Sequence, residues 1–164
     1  MKNIKPYILL IGTVLLLATF TAPKPSYGQI KQNEPVKTKT AQINFIENAY
    51  PVALKKAGVQ HKYLFVDAYA SWCGPCRQLK ELSFKDPDAA EFYNRNFVNL
   101  SIDMEKGEGK SLALKWNIEE YPTLLIIDTE GKIIFRSVGY LNAKELCAFG
   151  KPALRPHKTN IPFN

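Results

Sequence analysis

Residues 62–83 read KYLFVDAYASWCGPCRQLKELS, and a change of pattern inside this stretch decides the fold. Residues 62–70 carry apolar and aromatic side chains at odd and even positions alike, which predicts a strand buried on both faces at the centre of a sheet. From Cys73 to Ser83 the apolar side chains Leu79 and Leu82 return to helical spacing. At the junction stand Trp72-Cys73-Gly74-Pro75-Cys76. Two cysteines with two residues between them admit three readings: a redox pair, half of a zinc site, or two structural thiols. Their context favours the first. At a helix N-terminus, unpaired backbone N–H groups and the positive end of the helix dipole converge, and a thiolate is stabilised there. A C-x-x-C pair so placed has its first thiol lowered from about 8.5 to roughly 3.5–7.5. Cys73 is therefore the predicted nucleophile. Cys76, one turn later on the same face, is the predicted resolving thiol and the more shielded sulfur. Pro75 suits a first helical turn, where the N–H it lacks would be unpaired anyway.

The rest of the chain supplies few partners for a metal. A zinc site needs four ligands, and only Cys147, His61 and His157 remain, none with ligand spacing. No metal and no cofactor are expected. Cys147 sits beside Leu146 and Phe149 and reads as a small buried hydrophobe, although an odd cysteine in an exported protein leaves intermolecular pairing open. Asp67 lies six residues before Cys73, inside an otherwise apolar strand. Burying a carboxylate costs several kcal/mol, on the order of 3 or more, unless it is protonated or paired. Desolvation raises such a pKa, and a carboxyl near neutrality beneath the cysteines can take the proton of Cys76 as it attacks a mixed disulfide. The plain alternative is an Asp at the edge of the sheet, facing water. Tyr121-Pro122-Thr123 opens a later strand. In folded proteins about 5–6% of X-Pro bonds are cis, so these residues alone leave the isomer open.

Around this centre the pattern predicts one α/β domain over residues 41–150. A helix is expected over 41–57, with Pro51 kinking or breaking it at Tyr50 and Gly58 closing it. After the 62–70 strand and the Cys73 helix, Asp86-Pro87-Asp88 ends one helix and starts another. Residues 97–103 form a strand, 106–109 a turn and 110–116 a short helix. The runs 123–128 and 132–138 flank Thr129-Glu130-Gly131 and predict a hairpin. Asn142 caps a closing helix over 142–149. Early strands joined by helical crossovers pair in parallel and the last two antiparallel, giving a central mixed sheet flanked by helices. Residues 151–164 hold three prolines and three bases and read as an exposed extended basic tail.

The N-terminus has a different character. Basic residues 1–5, an apolar run over 7–22, and Ser26-Tyr27-Gly28 predict a signal peptide over 1–28 or, if uncleaved, an N-terminal anchor. Residues 29–40 are polar and Lys-rich and read as a flexible leader. The net charge of +7 collects in these segments and in the tail. Residues 41–150 hold thirteen bases against fourteen acids, so nucleic-acid binding loses its support.

These residues resemble the thioredoxin superfamily over about residues 41–149. Trp72-Cys73-Gly74-Pro75-Cys76, Asp67, Tyr121-Pro122-Thr123 and Gly139 fall in thioredoxin order and spacing. Residues 83–88, continuing to Asn96-Phe97, are closer to exported thioredoxin-like proteins of the kind that resemble the C-terminal domain of DsbD reductases. The resemblance implies a thioredoxin-like fold and a cis Pro122 facing the cysteines. It also implies that Tyr121 pairs through its backbone with an extended substrate segment. Trp72, Gly74, Pro75, Thr123 and the loop around Gly139 and Tyr140 complete the docking surface in this reading. Three departures matter, one of them a closing helix that is shorter than usual and gives way to a Pro-rich tail. Asn99 stands where thioredoxins carry a lysine beside the strand Asp, and Arg77 replaces the common lysine after the second cysteine.

The expected activity is thiol–disulfide exchange on protein disulfides in an exported, periplasmic space, by a chain that is itself monomeric. A Gly-Pro dipeptide between the cysteines accompanies a potential of about −270 mV in thioredoxin, against about −120 mV in DsbA, which favours a reductant. In an oxidising compartment a reductant needs a membrane-bound dithiol electron donor. The rival class is a binding module on the same fold, or a metal- or haem-maturation chaperone, with the thiols secondary.

Overall fold

The computed structural model describes residues 42–155. The predicted signal peptide, the leader, and the tail beyond Arg155 lie outside them. At the centre is β2, Tyr63–Tyr69, with five consecutive buried residues. Its two faces feed two cores. Leu64, Val66 and Ala68 join Ala53 and Ala57 of α1 (Tyr50–Gln60) and Leu112 of α4 (Gly109–Lys115). Phe65 faces the other way, onto Leu79 of α2 (Gly74–Glu81), Tyr93 of α3 (Pro87–Asn96) and Leu146 of α5 (Ala143–Gly150). Each side of the strand therefore buries apolar area against helices, and the alternation of period two sorts its side chains between them.

The sheet has five strands in the order β1-β3-β2-β4-β5. β1 (Ile46–Glu47) and β2 both run parallel to β3 (Phe97–Asp103). β4 (Thr123–Ile127) runs antiparallel to β2, and β5 (Ile133–Val138) antiparallel to β4. This is the expected mixed sheet between helical layers, with β2 in the middle and the hairpin at one edge. Among the described residues no helix is long and apolar enough to cross a membrane.

Local chemistry explains the boundaries. Asp86 caps α3, its carboxylate accepting from the amides of Asp88 and Ala89. Asn142 and Glu145 form a reciprocal capping box on α5. The helix expected over 41–57 is different. Residues Ile46–Glu47 are extended and pair with Leu100–Ser101, and the helix begins only at Tyr50 with Pro51 in its first turn. Pro51 thus starts the helix instead of breaking it. Tyr50 donates its amide to Glu108 Oε1 at 2.7 Å, a cap from 58 residues away. The helix also runs through Gly58 and ends at His61, which takes the left-handed conformation. The supposed exposed tail opens with a single 3-10 turn, Lys151–Leu154, that buries Ala153 against the α3–α5 side.

Gly109, at the start of α4, sits where a Cβ would lie 2.0 Å from the carbonyl oxygen of Asp103. Because the obstacle is backbone at the end of β3, no rotamer relieves it. Gly109→Ala is expected to lower the unfolding free energy by about 1–3 kcal/mol, the usual cost of overpacking, as read by urea denaturation.

Candidate functional site

Strand β2 delivers the chain to the sheet's end, and the turn after it places Cys73 at the N-cap of α2 with extended backbone. Pro75 occupies the first turn, as the missing N–H allows. Cys73 Sγ accepts the Cys76 amide at 3.1 Å, so a backbone donor points at the sulfur predicted to carry negative charge. The two sulfurs are bonded at 2.05 Å with their Cα atoms 5.3 Å apart. In this oxidised form both residues are 2% exposed, so the expected difference in shielding is not present. Ala70 and the partly buried Tyr69 and Tyr121 pack around them and cover both.

Of the remaining sequence candidates, Tyr121 packs against the cysteines, and Trp72 packs on Tyr121. Trp72 is 66% exposed, stands edge-on to the Tyr121 ring at 6.0 Å, and donates its indole N–H to Glu105 Oε2 at 2.9 Å. The Tyr121–Pro122 bond is cis. Thr123, the first residue of β4, is buried, and its hydroxyl donates to the Glu120 carbonyl at 2.7 Å. Gly139 follows β5 with a φ of 91°, a conformation open to glycine, and donates its N–H to the Pro122 carbonyl at 2.8 Å. That bond ties the loop after β5 to the cis-proline step. A Cβ on Gly74 would meet nothing within 4 Å, so packing does not require glycine there.

Asp67 is fully buried, and it lies in the central strand, not at an edge facing water. It falls on the same face of β2 as Phe65, toward α2. Ser101, opposite it on β3, donates its hydroxyl to Oδ2 at 2.9 Å, while Oδ1 has no hydrogen-bond partner. Burial pushes this carboxyl up to about 6, against the opposing pull of Lys80 and Ser101. Asn99, two residues upstream on β3, does not reach it. The Asn99 amide instead donates to Asn94 Oδ1 and to the Asn44 carbonyl. The cation near Asp67 is Lys80 of α2, with Nζ 3.9 Å from Oδ2. Lys80, Ser101 and Glu105 were not among the sequence candidates. Lys80 had a readable signal, since it follows Cys76 by four residues and so shares its helix face.

Cys147 is a free, half-buried thiol packed against the α3–α5 core, and burial raises its pKa, which suits a small hydrophobe better than a nucleophile. His61 is the exposed C-cap of α1. Among the described residues no three His, Cys, Asp or Glu side chains are grouped to hold a metal ion.

The thioredoxin-like domain family matches residues 50–153. A curated relative, the thiol:disulfide interchange protein DsbD of Tatumella citrea, is 28% identical over 154 residues, covering 90% of this chain and 27% of the relative. DsbD of Haemophilus influenzae is 30% identical over 118 residues, covering 68% of this chain and 20% of its own length. The chain thus spans about a quarter of the length of the curated relatives it matches. Among solved structures, a Bacteroides thetaiotaomicron protein whose disulphide-isomerase designation is provisional is 46% identical, with a TM-score of 0.62, covering 71% of this chain and 98% of that one. The oxidised C-terminal domain of Neisseria meningitidis DsbD is 17% identical with a TM-score of 0.56, covering 66% and 98%, which is a likeness of fold.

Proposed function

The chain belongs to the thioredoxin-like domain family, and from that premise we propose that it is a thiol–disulfide oxidoreductase that reduces protein disulfides through Cys73 and Cys76. The observation that carries this reading is the sulfur pair at the N-terminus of α2, with the Cys76 amide directed at Cys73 Sγ. Once the pair is reduced, that donor and the helix dipole favour the Cys73 thiolate.

Cys73 Sγ⁻ attacks one sulfur of the substrate disulfide, a mixed disulfide forms, and the other substrate sulfur leaves as a thiolate that takes a proton from water. Cys76 gives its proton to the Asp67 carboxylate and attacks Cys73 Sγ. The Cys73–Cys76 disulfide forms and the second substrate thiolate departs, so two electrons have passed from the protein to the substrate. Trp72, Gly74, Pro75 and the Tyr121-Pro122-Thr123 step, with Gly139 behind it, form the apolar surface on which an extended substrate segment lies in this reading. Regenerating the dithiol requires two electrons from a dithiol donor. The name of the DsbD relatives supports thiol–disulfide interchange, the N-terminal pattern of residues 1–28 supports an exported, periplasmic setting, and a reductant in an oxidising compartment needs a membrane-bound dithiol donor.

The test is insulin reduction by dithiothreitol in the presence of wild type, Cys73→Ser or Cys76→Ser protein. Wild type is expected to accelerate precipitation of the insulin B chain, and Cys73→Ser to leave the rate at that of dithiothreitol alone. Equal rates for wild type and Cys73→Ser would sink the enzymatic reading in favour of a binding module.

A further inference from the structure

On the side of the sheet covered by α2, a solvent-accessible groove of about 470 Å³ is lined by Asn44, Glu47, Lys80, Glu81 and Ser101 among others. Two of these side chains, Lys80 and Ser101, also touch the buried carboxyl of Asp67. Lys80 bridges the two environments. Its side chain is 34% exposed to the groove, yet Nζ lies 3.9 Å from Asp67 Oδ2 and 3.2 Å from the centre of the Tyr69 ring. Tyr69 is two residues beyond Asp67 on β2 and therefore on the same face. Its ring holds the ammonium by a cation–π contact, which fixes a side chain that would otherwise be free in solvent.

The helix that carries Lys80 also carries Cys76 and is capped by Cys73. Cys76 and Lys80 are separated by four residues and share a face, so one helix presents a thiol and, a turn later, an ammonium toward the strand that holds Asp67. Of the other charged or titratable groups, Glu47 from β1 and Tyr69 from its own strand interact with this carboxyl, while Asp103 from β3 lies by Tyr69 and is paired with Lys106 at 2.8 Å. Leu124, opposite Asp67 on β4, is apolar. Lys80 brings the positive charge.

We propose that Lys80 is a positioning residue for Asp67: from a groove whose lining includes neither cysteine, its ammonium stabilises the carboxylate that accepts the proton of Cys76. The proposal rests on the oxidoreductase reading for its consequence and on the groove geometry for its cause. Docked substrate would cover Trp72 and Tyr121 but not this groove, so the proton taken from Cys76 can leave through Ser101 and the groove while the mixed disulfide is still bound. Burial acts against ionisation of Asp67, and an opposite charge within reach acts for it. Since Lys80 is one-third exposed, solvent and salt weaken its share.

The experiment follows the Asp67 carboxyl by NMR in the oxidised full chain between pH 4 and 9, for wild type, Lys80→Met and Lys80→Arg, with Asp67→Asn identifying the resonance. Lys80→Met is expected to bind the Asp67 proton about threefold to tenfold more tightly, and Lys80→Arg to titrate close to wild type. The pH profile for release of the second thiol from a mixed disulfide should move by the same amount. Wild-type titration in Lys80→Met, or failure of arginine to restore it, overturns the proposal. A shifted carboxyl with an unmoved release profile overturns the link to Cys76. The carboxyl readout needs no turnover, so failure of the oxidoreductase reading appears separately, in the insulin assay with Cys73→Ser.

Discussion

Cys76→Ser is expected to convert turnover into capture. In the two-step exchange, Cys73 alone can open a substrate disulfide, but only the Cys76 sulfur can displace the substrate from Cys73 without outside help. The reduced variant mixed with an aromatic disulfide reagent should therefore release one equivalent of aromatic thiol and keep the other as an adduct on Cys73. Wild type should release two equivalents and close its own disulfide. The 5.3 Å Cα separation across one helical turn is what makes closure intramolecular and fast. Cys73→Ser should give neither fast release nor a Cys73 adduct. Cys147, half-buried with its thiol pKa raised by burial, contributes only a slow background. Since the two thiols act as a unit, insulin turnover should fall on the order of 100-fold or more in either single variant and scarcely further in the double variant. Mass spectrometry of the adduct decides the matter. Full release of both equivalents by Cys76→Ser would mean that another group resolves the intermediate.

Features governed by near neighbours in the chain are legible in the sequence. The two-sided apolar run of β2, the caps at Asp86 and Asn142, and the hairpin around Gly131 each follow from residues within a few positions of one another. The cysteine pair was equally plain, because a strand, Pro75 and helical spacing surround it. What escaped depends on distant groups. Ile43 and Ile46 mimic helical spacing, but β1 exists because Leu100 and Ser101 offer it a strand edge, and α1 starts where Glu108 caps Tyr50. Ala153 is buried because α3 and α5 leave a place for it, which no property of a Pro-rich tail announces. The same limit applies at the site. Asn99 occupies the position where the resemblance expects a lysine, and the missing charge is supplied from the helix of the cysteines instead. Electrostatic partners are set by packing, and sequence position is a weak guide to them.

Asp67→Asn is expected to stabilise the protein at neutral pH, by an amount that depends on pH. The folded carboxyl is raised from an unfolded value of 3.8 to about 6, chiefly by burial. Below pH 3.8 both states are protonated and the group contributes nothing. Between 3.8 and about 6 the folded state binds the proton that the unfolded state has released, so stability falls as pH rises. Above about 6 both are ionised and the full penalty is present. A rise of roughly two pH units at about 1.4 kcal/mol each is about 3 kcal/mol. Asparagine has the shape of the protonated acid and keeps an oxygen for the Ser101 hydroxyl, so it avoids that penalty. Urea denaturation of the oxidised proteins should therefore show Asp67→Asn more stable by about 3 kcal/mol at pH 7.5 and indistinguishable from wild type near pH 4. A difference that stays constant across this range would assign the effect to packing and not to the carboxylate. A residue that weakens the fold at the pH where the proposed chemistry runs is what a stability–activity trade-off looks like at a single side chain. On that argument the more stable variant should also release the second thiol more slowly, because asparagine cannot take a proton from Cys76.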